Sequence, residues 1–162
     1  MLSNDIIELA SLLGDKLCAK GWTVTTAESC TGGGIAYAIT SRSGSSQWFR
    51  QAFVTYSNDA KQNLLSVSPH ILQTHGAVSK HTVEKMVSGV CQAANAEVGV
   101  AVSGVAGPDG GSDDKPVGTV WFGFQVDGTL TTLKQHFDGD RHLVREQTIR
   151  FALQHLLSVI PS

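Results

Sequence analysis

The run Val98-Gly99-Val100-Ala101-Val102 constrains this chain more than any other stretch, because it offers no polar residue to either face of a strand. Successive strand side chains point to opposite sides, so a run apolar on both must be covered on both. That predicts a central strand between two layers of helices. Residues 4–20 read as one helix, with Ile6, Leu9, Leu13 and Leu17 close to one face and Gly21 as the stop. Residues 79–95 carry Val83, Met86, Val87, Val90, Cys91 and Ala94 at the spacing of a buried stripe, and Asp140 caps a last helix running through Leu157. Trp22 to Thr26 and residues 48–57 read as further strands, and Asn58 is expected to cap a helix containing Lys61, Leu64 and Leu65. Residues 117–126 and 129–137 are strands joined by Asp127-Gly128, a link so short that it demands an antiparallel hairpin. The expected fold is α/β, a three-layer α/β/α sandwich around a mixed sheet with an antiparallel hairpin, formed by residues 1–162 as a single domain.

Composition narrows the classes of function. A formal charge of −2 leaves no electrostatic footprint for nucleic acid or anionic lipid, and no apolar run is long enough to span a membrane. The 3 cysteines, Cys18, Cys30 and Cys91, are widely spaced without a C-x-x-C pair, so neither a disulfide framework nor a zinc knuckle is indicated. The first helix mixes Asp5, Glu8, Asp15 and Lys16 with its apolar residues, unlike a signal peptide, and the cytoplasm is the expected compartment. The acidic residues Asp109, Asp113 and Asp114 lack the spacing of a calcium loop, so no metal and no cofactor is expected. A small-molecule substrate is the expected partner, and a homodimer is compatible with such a fold.

In open α/β sheets ligands bind beyond the carboxyl ends of the strands. Three loops leave strands there with unusual composition: 27–34, 56–61 and 103–111. Ser29 stands on the turn before a helix that begins in glycines. The N–H groups of Thr31, Gly32 and Gly33 could stabilise an oxyanion on a carbonyl attacked by Ser29, or the hydroxyl could simply cap the helix. Cys30 is a rival nucleophile. The 6 histidines show no catalytic pairing, and Lys61 is the better base, being on the first turn after a strand end, where the helix dipole disfavours its charge. Neutrality near pH 7 would require lowering its pKa by about 3, more than a dipole supplies, so burial or a second cation must contribute. Read blind, a lysine at this position is more simply a solvated surface residue. Loop 103–111, with Ser103, Gly104 and Gly107, could hold a phosphate, ribose or carboxamide through its backbone, or be a wide turn. Arg141 and Arg145, one helical turn apart, suit a phosphate or carboxylate, with pairing to Asp138, Asp140 or Glu146 as the alternative.

Six stretches in order resemble the C-terminal-type domain of the competence-damage-inducible CinA family, in particular its stand-alone nicotinamide-nucleotide deamidases. They are Thr25 to Gly33 (T-T-A-E-S-C-T-G-G), Gly44-Ser45-Ser46 with Trp48-Phe49, Val54 to Asn58 (V-T-Y-S-N) with Lys61, His75 to Ser79, Ser103 to Gly111 with Lys115 to Trp121, and Gly139-Asp140-Arg141. The resemblance implies metal-free hydrolysis of nicotinamide mononucleotide to nicotinate mononucleotide and ammonia. It makes Ser29 the nucleophile and Lys61 the base, puts Tyr56 beside them in the pocket, and adds Ser46 to the expected binding residues. Larger members carry a further N-terminal nucleotide-processing domain. Here Met1 leads directly into the first helix, so that activity is expected to be absent. A non-catalytic nucleotide-binding or regulatory module is the alternative, and it would tolerate Ser29→Ala.

Overall fold

The computed structural model describes residues 1–162. In chain order its elements are α1 (Asn4–Lys20), β1 (Val24–Glu28), α2 (Gly34–Ile39), β2 (Phe53–Val54), α3 (Asn58–Leu65), α4 (Pro69–His75), α5 (Lys80–Ala94), β3 (Val98–Gly104), β4 (Thr119–Val126), β5 (Thr129–His136) and α6 (Arg141–Val159). They form a five-stranded sheet in the order β2-β1-β3-β4-β5. The pairs β2–β1 and β1–β3 are parallel, whereas β3–β4 and the β4–β5 hairpin are antiparallel. β3 lies at the centre and is buried on both faces, as its apolar run requires. No helix is long and apolar enough to cross a membrane.

Side-chain alternation divides the core in two. Val24, Val98, Val100, Val102, Val120, Phe122 and Phe124 face α1, α2 and α6. Ala27 and Ala101 face the other way, against Val83, Met86, Val87 and Val90 of α5 and Leu65 of α3. Gly99 and Gly123 let α5 lie close to the sheet, because a Cβ at either position would collide with Cys91 Sγ or the Val83 carbonyl. The sheet is thus covered by α1, α2 and α6 on one side and α3, α4 and α5 on the other.

Several boundaries differ from the sequence expectations for identifiable reasons. β1 runs to Glu28 and starts at Val24, since pairing with Val98–Val102 extends it through residues of low strand propensity. The strand expected over 48–57 reduces to Phe53–Val54, with an isolated bridge at Phe49, because Trp48 turns inward and lies over Gly14 of α1. Ser57, not Asn58, caps α3: its backbone is extended and its Oγ accepts from Ala60 N–H. Helix α4 has no counterpart in the sequence reading, although Ser68 caps it and Pro69 occupies its first turn. Asp140 does cap α6, accepting from Leu143 N–H, and Gly21 ends α1 in the left-handed region.

Candidate active site

β1 and β3 run parallel and end side by side, and their last residues turn to opposite faces. Val102 C=O accepts from Ser29 N–H (3.1 Å), which carries the β1–β3 ladder one residue beyond the strand. Glu28 therefore points toward α2, while Ser29 and Ser103 point toward α3 and α5. There they line a cleft of about 330 Å³ with Cys30, Tyr56, Lys61, Ala77, Val78, Gly104, Gly107, Asp109 and Arg141 among its walls. No histidine lines it.

Lys61 enters this cleft from below. Helix α3 starts at Asn58, so Lys61 sits in its first turn and its side chain runs back under the preceding segment. Nζ donates to the carbonyls of Thr55 (2.7 Å) and Tyr56 (3.3 Å) and lies 3.1 Å from Ser29 Oγ. The side chain is 1% exposed, and burial, the dominant cause, pushes its pKa down from 10.5 to about 8, against an opposing influence from Cys30. Burial accordingly supplies most of the lowering that the dipole could not. A neutral amine keeps two N–H bonds, which suit the two carbonyls, and presents its lone pair to Ser29.

The neighbouring thiol is a poor competitor. Burial first, and then the Glu28 charge, push Cys30 up to about 12, so it is protonated at neutral pH. Ser29 Oγ also contacts Tyr56 O at 3.5 Å.

The turn after Ser29 differs in detail from expectation. Gly32 N–H is taken by Ser29 C=O (3.0 Å), whereas the N–H groups of Cys30, Thr31 and Gly33 have no acceptor within the chain. The helical N–H groups of Ile35 and Ala36 are also occupied, by Glu28 Oε1 (2.8 Å) and Oε2 (2.9 Å). The free donors beside Ser29 thus belong to the turn, not to α2.

The arginine pair is parted. Arg141 lines the Ser29 cleft, held by Gly107 C=O (2.8 Å) and by Tyr56 Oη (3.0 Å), and Tyr56 is itself 58% exposed at the cleft mouth. Arg145 is drawn onto the glycine turn, donating to Thr31 C=O (3.3 Å), and faces a separate hollow of about 210 Å³ with Tyr37, His142 and Ile149. An anion in the Ser29 cleft would therefore meet one arginine only. Ser46 is exposed on the short 3₁₀ turn Ser45–Gln47 and does not line this cleft. Ser103, Gly104 and Gly107 do line it, whereas Thr31, Gly32 and Gly33 do not, because the turn swings away after Cys30 and Thr31 faces the Arg145 hollow instead. No group of three or more His, Cys, Asp or Glu side chains is arranged to hold a metal ion.

Two features of the site lie outside the sequence-based candidates. The carbonyls of Thr55 and Tyr56 hold Lys61, and main-chain acceptors leave no compositional trace. Glu28 is 1% exposed beneath Ser29, and its signal, an acidic residue at a strand end just before a helix N-terminus, was there to be read.

Residues 6–160 match the family model described as CinA C-terminal domain. The nicotinamide-nucleotide amidohydrolase PncC of Enterobacter agglomerans is 59% identical over 158 residues, which is 97% of this chain and 96% of that protein. The protein of the same name from Escherichia coli (strain K12) is 50% identical over 157 residues, covering 96% of this chain and 95% of its own. Among solved structures, the competence/damage inducible protein CihA from Agrobacterium tumefaciens superposes with a TM-score of 0.94 at 41% identity, covering 98% of this chain and 97% of that one.

Proposed function

The chain belongs to the CinA C-terminal domain family, and from that premise and the Ser29–Lys61 contact we propose that it hydrolyses the carboxamide of nicotinamide mononucleotide to nicotinate mononucleotide and ammonia. The observation that carries the chemistry is a buried lysine with a pKa lowered to about 8, placed 3.1 Å from a serine hydroxyl at a strand end. The substrate rests on the relatives, which span nearly the whole chain and bear that activity in their names.

In this reading neutral Lys61 accepts the Ser29 proton as Oγ bonds to the carboxamide carbon. The carbonyl oxygen gains negative charge, and the unpaired N–H of Cys30, which lines the cleft, is the donor nearest along the chain to receive it. The Lys61 ammonium then protonates the amide nitrogen, the C–N bond breaks, and ammonia leaves a nicotinoyl ester on Ser29. Water attacks that ester, gives its proton to Lys61, and the serine hydroxyl is restored as the carboxylate product departs. Arg141, linked to Tyr56 Oη at the cleft mouth, supplies the positive charge for the 5′-phosphate.

The test compares ammonia release from nicotinamide mononucleotide, nicotinamide and the dephosphorylated riboside. The proposal expects hydrolysis of the mononucleotide and a large loss on both compounds that lack phosphate. Equal rates on all three would refute the phosphate contact. No hydrolysis of any would favour the binding-module alternative.

A further inference from the structure

Glu28 is a fully buried carboxylate with no basic partner within salt-bridge distance, in a position no step of the proposed reaction uses. Its charge is held by hydrogen bonds alone. Oε1 accepts from Thr31 Oγ1 (2.5 Å) and Ile35 N–H (2.8 Å), and Oε2 accepts from Thr26 Oγ1 (3.1 Å) and Ala36 N–H (2.9 Å). An ionised carboxylate only accepts, and here each oxygen receives one hydroxyl and one backbone N–H. Such charge-assisted bonds are short and strong, and a buried anion keeps its solvation only while its donors stay in place.

The donors identify what is being held. Thr26 belongs to β1, Thr31 to the glycine turn, and Ile35 and Ala36 to the first turn of α2. The carboxylate therefore ties strand, turn and helix together around one point, and Ser29 is the next residue along the chain. Alternation sends Glu28 to the α2 face and Ser29 to the Lys61 face, so the clamp works from behind the nucleophile without entering the cleft. It also occupies the α2 donors, so that only the turn's own N–H groups at Cys30, Thr31 and Gly33 remain free on that side. Arg145 braces the same turn from outside through Thr31 C=O.

We propose that Glu28 is a positioning residue for Ser29, its carboxylate fixing the strand-to-helix turn that aims the hydroxyl at Lys61 and the free Cys30 N–H at the reacting carbonyl. This rests on the deamidase reading above. Glu28 takes no part in proton transfer: it faces away from Lys61 across the sheet, and both its oxygens are fully engaged. Glu28→Gln replaces one acceptor by an NH₂ group facing a backbone N–H, which the turn can relieve only by moving. A displacement on the order of 1 Å at a reacting group costs about 10²-fold in rate, while the cleft walls that bind substrate stay in place.

The experiment measures kcat, KM and the pH–rate profile for nicotinamide mononucleotide with wild type, Glu28→Gln and Thr26→Val. Circular dichroism confirms that each variant is folded at the assay temperature. Thr26→Val keeps strand shape and charge and removes a single donor to Oε2, so it decides the matter even where Glu28→Gln does not fold. The expected result is kcat lowered about 10²-fold in Glu28→Gln and several-fold in Thr26→Val, with KM within about twofold and the pH midpoint unmoved. A merely structural role would lower the melting temperature and leave the folded variants turning over as wild type, which overturns the proposal. A shifted pH midpoint overturns it also, by putting Glu28 in the proton chemistry. A wild type that releases no ammonia overturns the deamidase reading instead.

Discussion

Replacing Lys61 by methionine should make the protein's stability less dependent on pH, and the size of the change follows from the burial of the amine. In the unfolded chain the lysine titrates near 10.5, and in the folded protein at about 8. Between those values the unfolded state holds more protons than the folded one, so raising the pH favours folding. Below about 8 both states carry the proton and the folded state bears a constant penalty of roughly 3 kcal/mol, at about 1.36 kcal/mol per unit of pKa. Above 10.5 the penalty is gone. Integrating the linkage relation from about pH 7 to about pH 10 gives roughly 2–3 kcal/mol. Lys61→Met lacks this dependence but loses donors to the Thr55 and Tyr56 carbonyls, a cost that does not vary with pH. The absolute ranking of the two proteins at one pH therefore says little, whereas the change in their difference isolates the amine. The assay is urea unfolding of both proteins at several pH values across that range. With an m-value of ~2 kcal/mol/M, the gap between their midpoints should move by about 1 M in favour of the wild type as the pH rises. A gap that stays constant would mean that Lys61 titrates as an ordinary solvated lysine, and the argument for it as a base would fail.

Three further outcomes follow from the site and its supports. With neutral Lys61 as the proposed base, the rate of ammonia release should rise about tenfold per pH unit below about 8 and level off above it; a flat profile would contradict this. Arg141→Ala should raise KM for nicotinamide mononucleotide by about 10- to 100-fold and affect the dephosphorylated riboside much less, as judged by steady-state kinetics on both. Ser57→Ala removes the N-cap of the helix that carries Lys61 and should cost about 1 kcal/mol, read as a fall of ~2–4 °C in melting temperature.

Legibility in the sequence followed the range of the interactions concerned. Gly21, Asp140 and Asp127-Gly128 act through their own neighbours, and each does what its local chemistry implies. The apolar run at 98–102 announced the central strand because no other place in a fold buries both faces. Ser29 and Lys61 were legible as candidates from their places at strand ends, but their 3.1 Å approach depends on β1, β2 and α3 meeting, which no spacing encodes. Residues 48–57 misled because Trp48 is drawn into the core against Gly14, far along the chain, and apart from the single bridge at Phe49 only Phe53–Val54 form a strand beside β1. The arginines misled in a different way. Their helical spacing is as expected, yet the glycine turn captures Arg145 and leaves Arg141 alone in the cleft. Glu28 lay in plain view within the strand, but its role appears only once Ile35 and Ala36 are seen to point their N–H groups at it.

The most direct test of the account is ammonia release from nicotinamide mononucleotide by purified wild type, Ser29→Ala and Lys61→Met, measured side by side with chelator present. The account requires steady turnover by the wild type and loss of at least about 10³-fold in each variant, both remaining folded. Substantial turnover by Ser29→Ala would contradict it, because a reaction that proceeds without that hydroxyl cannot pass through an ester on Ser29.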